Sequence, residues 1–172
     1  MKTIYECLQS KSVKWSSTIF YSVVVLSVFV MMYLVARGIY NIITAWVVMA
    51  FILIPSILSF FIFPIYIVAD DEGIGVRTLA RTKRIPYENI DRIVRVEEQL
   101  LFSRISTIRL FGAGGVFGYI GWFRSKGIGT FLSYATDEKN VFLIYRKKGK
   151  PVAISVNDPD EFLPYYLKGG EK

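Results

Sequence analysis

The chain has 172 residues, a formal net charge of +7, no histidine and one cysteine. That length holds one domain and an extension, and the missing histidine removes the commonest general base and metal ligand. Apolar residues make up 53% and charged residues 20%, a balance that excludes an ordinary soluble domain and suits a chain partly embedded in a membrane.

In chain order, Lys2, Lys11 and Lys14 precede "WSSTIFYSVVVLSVFVMMYLVA", an uncharged run over 15–36. A link, "RGIYN", leads to a second uncharged run, "IITAWVVMAFILIPSILSFFIF", over 42–63. Each run has the roughly 20 apolar residues that a helix needs to cross a bilayer, so the pattern predicts a transmembrane hairpin. Trp15, Tyr40 and Trp46 lie near its ends, where amphipathic rings prefer the headgroup region. Cations flank the outer ends of both runs, with Arg37 alone in the link, which predicts cytoplasmic termini and a multi-pass protein of the cytoplasmic (inner) membrane. Pro55 is expected to kink the second helix, with Ser56, Ser59 or a neighbouring helix taking up the freed backbone groups. No charge lies inside either run, which argues against a transporter or pump. Cys7 has no disulfide partner; it is either a reactive or lipidated thiol before the first span or an incidental reduced cysteine.

The predicted boundary falls at 64/65, with the N-terminus and helical hairpin in 1–64 and a cytoplasmic domain in 65–172. There, period-2 alternation predicts strands at 65–70, 74–80, 85–96, 104–111, 130–136, 141–146 and 151–156. "DDEG" reads as a hairpin turn, although its acids invite comparison with a divalent-cation site. In "NDPDEF", Asp158 is a helix cap, Pro159 suits the first helical position and Glu161 completes a capping box. Phe162, Leu163, Tyr166 and Leu167 supply an apolar stripe and Gly169 a stop, while Pro164 predicts a short or kinked helix.

Seven of the chain's 13 glycines fall in "LFGAGGVFGYIGWFRSKGIG", residues 110–129. A dinucleotide fingerprint fails, because Phe117 stands at the third glycine position and no βαβ context exists; a P-loop fails for want of Gly-Lys-Ser/Thr. The glycines permit tight turns, and Phe117, Tyr119, Trp122 and Phe123 followed by Arg124 and Lys126 suit an interface between oil and water. The stretch is expected to enter headgroups, to pack on the anchoring helices, to close one end of the sheet domain or to contact another subunit.

"YENI", "GGVFGYIGWF" and "ISVNDPDEF" together resemble bacterial membrane proteins that carry a PH-like (pleckstrin-homology-like) domain beside paired transmembrane helices. Ser155, Asp158, Pro159 and Phe162 match a family pattern, with Val156 in place of a proline. The resemblance implies an α+β membrane protein: a helical hairpin, then a seven-stranded antiparallel PH-like β-barrel with a C-terminal capping helix, and no general activity. The first hairpin turn of eukaryotic PH domains often carries basic phosphoinositide ligands. Here it is acidic, so that mode is not carried over.

A tethered meander should alternate its turns between the membrane and the far end. Counting seven strands places Arg81, Lys83, Arg84, the glycine stretch, Arg146, Lys147, Lys148 and Lys150 near the membrane, and "DDEG", "EEQ" and "DEKN" away from it. These cations and the four rings named above are the expected lipid- or partner-facing residues, suited to an anionic leaflet. The expected function is a non-enzymatic binding or scaffolding module that holds anionic lipid or a membrane partner. The alternative is a structural subunit that oligomerises or braces a membrane complex. No catalytic residue, metal, cofactor or nucleic-acid partner is expected.

Overall fold

The computed structural model describes residues 3–7, 9–96, 101, 107–115, 117–162 and 164. The expected "EEQ" turn, the start of the strand predicted at 104, Lys2, and Leu163, Tyr166, Leu167 and Gly169 lie outside the described residues.

Both apolar runs are helices, α1 over Lys11–Ala36 and α2 over Ile42–Ile62. Ser10 and Asn41 start them, accepting from the backbone N–H of Val13 and Thr44 at 3.3 and 2.8 Å, as short polar side chains do at first turns. Helix α2 continues through Pro55, and the Ser56 hydroxyl donates to the Ile52 carbonyl at 2.7 Å. Helix α1 is long and apolar enough to cross a membrane; among the described residues the apolar stretch of α2 is Ile42–Leu58. The side chains of both point outward, Phe29 being 64% and Phe51 78% exposed.

The strands are β1 (Thr3–Glu6), β2 (Pro64–Ala69), β3 (Gly73–Thr78), β4 (Thr82–Pro86), β5 (Ile90–Val96), β6 (Thr107–Gly114), β7 (Tyr119–Ser125), β8 (Gly129–Ala135), β9 (Val141–Arg146) and β10 (Val152–Ser155). They form two sheets, ordered β1-β2-β3-β4 and β5-β9-β10-β8-β7-β6. All pairs are antiparallel except β8 with β10. Ile67, Ile74, Val76 and Ile85 of the first sheet meet Ile93, Tyr134, Phe142, Ile144 and Ile154 of the second in one core.

Three expectations change. The architecture is two open sheets and not a closed barrel, and the described residues hold ten strands where the pattern predicts seven. The predicted strand 85–96 is divided, because Pro86 cannot donate to a ladder and a 3-10 turn at Tyr87–Asn89 carries the chain from β4 into the other sheet. Two more strands lie where no strand is predicted. Strand β1 pairs with β2 in the register Thr3↔Ala69 to Glu6↔Tyr66, and β7 is the second half of the glycine stretch.

The C-terminal helix begins at Pro159, and the Asp158 carboxylate accepts from the Glu161 N–H at 3.1 Å. Phe162 is fully buried, its ring 5.5 Å from Tyr5 and 4.9 Å from Phe142. Tyr5 donates its hydroxyl to the Glu161 carbonyl at 3.0 Å, and the Asn157 amide donates to the Glu6 carbonyl at 2.7 Å. The N-terminal strand is thus tied to both β2 and the C-terminal helix.

Cys7 ends this strap, buried, with its N–H on the Ile65 carbonyl at 3.2 Å. Burial disfavours the thiolate and pushes the thiol up to about 12 from 9.0. Above pH 9 the unfolded thiol ionises while the folded one keeps its proton. Stability from this group is therefore complete below 9 and lost as pH rises to about 12. Alkaline unfolding of the native chain beside Cys7→Ala should show the native chain losing more stability across that window. Parallel profiles would remove the effect.

Candidate functional site

Strand β4 is an edge of the first sheet, opposite β1. Lys83 shares its inward face with Ile85, whereas Arg84 points outward to Asp70 and Glu72, the latter at 2.6 Å. These two acids are thereby accounted for within the "DDEG" turn, where Asp70 also accepts from the N–H groups of Glu72 and Gly73 at 3.1 Å. Lys83 instead reaches across the opening between the sheets, its ammonium 5.9 Å from the Tyr134 ring on β8.

Arg81 and Arg146 come close enough to repel the Lys83 ammonium, and Lys150 follows Arg146 in the next turn. Arg81 sits in the β3–β4 turn, held by Thr78, which donates backbone and side-chain hydrogens to the Arg81 carbonyl at 2.8 and 2.9 Å. That turn lies against the end of α2, with the Ala80 N–H on the Phe61 carbonyl at 3.4 Å. Arg146 ends β9 and donates from Nε to the Lys150 carbonyl at 2.7 Å. Gly149, at φ +106°, leaves room for the guanidinium; a Cβ there would stand 2.9 Å from it. Lys150 lies over the Trp122 ring at 5.0 Å. Such contacts hold a cation on a ring without neutralising it.

The Lys83 ammonium titrates below its ordinary value because of burial first, then repulsion from Arg146 and Arg81. Among the described residues, none of Arg81, Lys83, Arg146 and Lys150 is in an ion pair. Guanidinium and ammonium groups of this kind can donate together to the oxygens of a multiply charged anion such as phosphate.

The remaining predicted residues are dispersed. Strands β6 and β7 form a hairpin whose turn, at 115–118, meets α1. There the Phe117 N–H donates to the Ser17 hydroxyl at 3.0 Å, and its ring lies 5.8 and 5.2 Å from Phe20 and Tyr21. The glycine stretch therefore packs on the chain's own helices. Phe117 has φ +65°, an uncommon state for a bulky residue, and these helix contacts hold it. Phe123 is buried against Phe131 on the outer face of the second sheet, and Tyr119 donates its hydroxyl to Glu138. Arg124 follows Trp122 on the same strand face, and Lys126 lies in the β7–β8 turn. Lys147 and Lys148 are held by Asn89, at 2.9 Å each.

The added strand β7 also reverses the expected alternation of turns. Turns 126–128 and 147–150 share one end of the second sheet, and turn 115–118 lies at the other end with the acidic 136–140 turn. That acidic end is the one beside α1, since the Ser10 N–H reaches the Thr136 carbonyl at 3.4 Å. Arg146 and Lys150 join Arg81 and Lys83 through side-chain reach and not through strand count.

Tyr134 and Ser17 carry contacts that composition does not single out. Tyr134 is in phase with Leu132 on the inward face of β8, a period-2 signal that could have found it. Ser17 donates to the Val13 carbonyl at 2.7 Å while accepting from Phe117. Ser17→Ala removes the hydroxyl that accepts from the Phe117 N–H and should lower stability by about 1 kcal/mol. Thermal unfolding of the full chain in detergent measures it, and an unchanged midpoint would show that the hairpin does not depend on this bond.

Two face-packed sheets with a C-terminal helix whose phenylalanine plugs the core define a PH-like domain. The family described as a bacterial PH domain matches residues 65–168, more than half of the chain, and the chain belongs to it. Membership points to a non-enzymatic binding or scaffolding module. No curated protein and no solved structure matches the chain.

Proposed function

We propose that this is a membrane-anchored PH-domain protein whose cationic cleft binds an anionic lipid headgroup at the cytoplasmic face of the inner membrane. The observation that carries the reading is the approach of Arg81 and Arg146 to Lys83, with Lys150 beside Arg146, none of them in an ion pair among the described residues, and with the Arg81 turn against the end of α2. A helix pair with exposed apolar side chains all round is stable in lipid and not in water.

Topology supports two crossings. Strands β1 and β2 are hydrogen-bonded neighbours, and they flank the α1–α2 hairpin. If α1 crosses the bilayer, α2 must return the chain, because both helices leave one end of the same sheet. The N-terminus then lies on the side of the PH domain, and the positive flanks assign that side to the cytoplasm.

The full chain in a neutral detergent, with Trp15 and Trp46 replaced by Phe, reports on the cleft through Trp122. Short-chain phosphatidylglycerol should produce a saturable change in fluorescence that high salt abolishes, while short-chain phosphatidylcholine should not. Equal responses to both lipids, or none to either, would overturn the reading.

A further inference from the structure

A groove of about 450 Å3 lies between the helical hairpin and the glycine hairpin. Pro55, Leu58 and Ile62 line it from α2, and Gly112, Ala113 and Gly121 from β6 and β7. Gly112 and Gly121 are cross-strand partners at φ +117° and +127°. A Cβ on either would stand 2.1 or 2.2 Å from a carbonyl oxygen of the opposite strand. Only glycine serves at both positions, and the bare backbone leaves space beside the helices.

We propose that this groove holds one acyl chain of the phospholipid whose headgroup occupies the cationic cleft; the proposal rests on the reading of the cleft given above. Three observations select that occupant. The groove is continuous with the outward apolar surface of the helices, where Leu58 and Ile62 are 55% and 50% exposed. Ser56, on its wall, lies about 9 Å from the end of α2 at 1.5 Å per residue, a depth at which acyl chains replace headgroups. The polar site adjoins it at the end of α2, which supplies Ile62 to the groove and whose Phe61 carbonyl holds the turn that carries Arg81. Charge and hydrocarbon are thus offered in the order in which one phospholipid presents them.

Ala113→Phe places a ring in the groove and leaves the four cations in place. With dioleoyl phosphatidylglycerol in neutral detergent, native mass spectrometry of the full chain should show one retained lipid, held about tenfold less tightly by Ala113→Phe. Glycerol phosphate, which has no tail, should change Trp122 fluorescence equally in both proteins once Trp15 and Trp46 are replaced by Phe. If Ala113→Phe does not fold, Leu58→Trp narrows the groove from the helix side and should give the same loss. Unchanged lipid retention in the folded variant would overturn the tail site. So would a dimer that Ala113→Phe dissociates, since the occupant would then be a second copy. Loss of retention without any response to glycerol phosphate in the native chain would keep the tail site and overturn the headgroup cleft.

Discussion

A fragment that starts at Ile65 is expected to be about 3–5 kcal/mol less stable than one in which residues 1–9 are joined to Pro64 by a short turn replacing both helices. The family match begins at residue 65, and the boundary looks clean in sequence. The fragment, however, lacks Tyr5, 4% exposed and packed edge-on against Phe162. It also loses the Tyr5 bond to Glu161, the Asn157 bond to Glu6 and the outer ladder of β2. Removing one large buried ring accounts for the range by itself, and an exposed β2 edge adds a liability to aggregation. Joining is geometrically simple, because the Cys7 N–H already meets the Ile65 carbonyl at 3.2 Å. Denaturant titrations followed by circular dichroism compare the two proteins. Equal midpoints would make β1 an ornament of the edge and not part of the core.

That strand also marks where the sequence stops being legible. "TIYE" alternates over only four residues and stands in a cationic flank, so its period carries little weight; its partner β2 lies nearly sixty residues away. The helices are legible because an uncharged run of twenty residues has few alternatives. The helix cap is legible because Asp158 and the Glu161 N–H that it accepts from lie within one turn. Strand β7 is hidden for another reason. Its Gly121 and the facing Gly112 obscure alternation, yet they are what allow β6 and β7 to pair with positive φ at both positions. Residues of the cleft can be named from charge, but their meeting cannot. It depends on β4 ending the first sheet at Pro86, and on the β9–β10 connection folding Arg146 and Lys150 back toward β7. Both are properties of tertiary pairing that no local spacing records.

Replacing Arg81, Lys83, Arg146 and Lys150 together with Gln should weaken the preference for anionic over neutral phospholipid on the order of a thousandfold, taking about 1 kcal/mol per cation near the membrane surface. The same substitution should raise thermal stability in the absence of lipid, and this opposite sign distinguishes a binding site from a structural charge cluster. Burial and the repulsion of Arg146 and Arg81 lower the Lys83 pKa. The unfolded chain therefore binds its proton more readily than the folded one just below the ordinary lysine value of 10.5. Stability from this group rises with pH through that window, so at neutral pH the charged Lys83 opposes folding. An inward lysine on an edge strand also discourages edge-to-edge pairing, but that role asks for no second cation and does not explain why Arg146 and Arg81 crowd it. A bound phosphate would reverse the balance by favouring the ammonium form, so lipid binding should itself stabilise the native chain and should weaken as Lys83 loses its proton. Lys83→Met isolates this residue: it should melt a few degrees higher than the native chain without lipid and gain less from phosphatidylglycerol. A lower melting temperature without lipid, together with an unchanged gain on adding it, would assign Lys83 to the fold and leave the anion to be sought elsewhere on the surface.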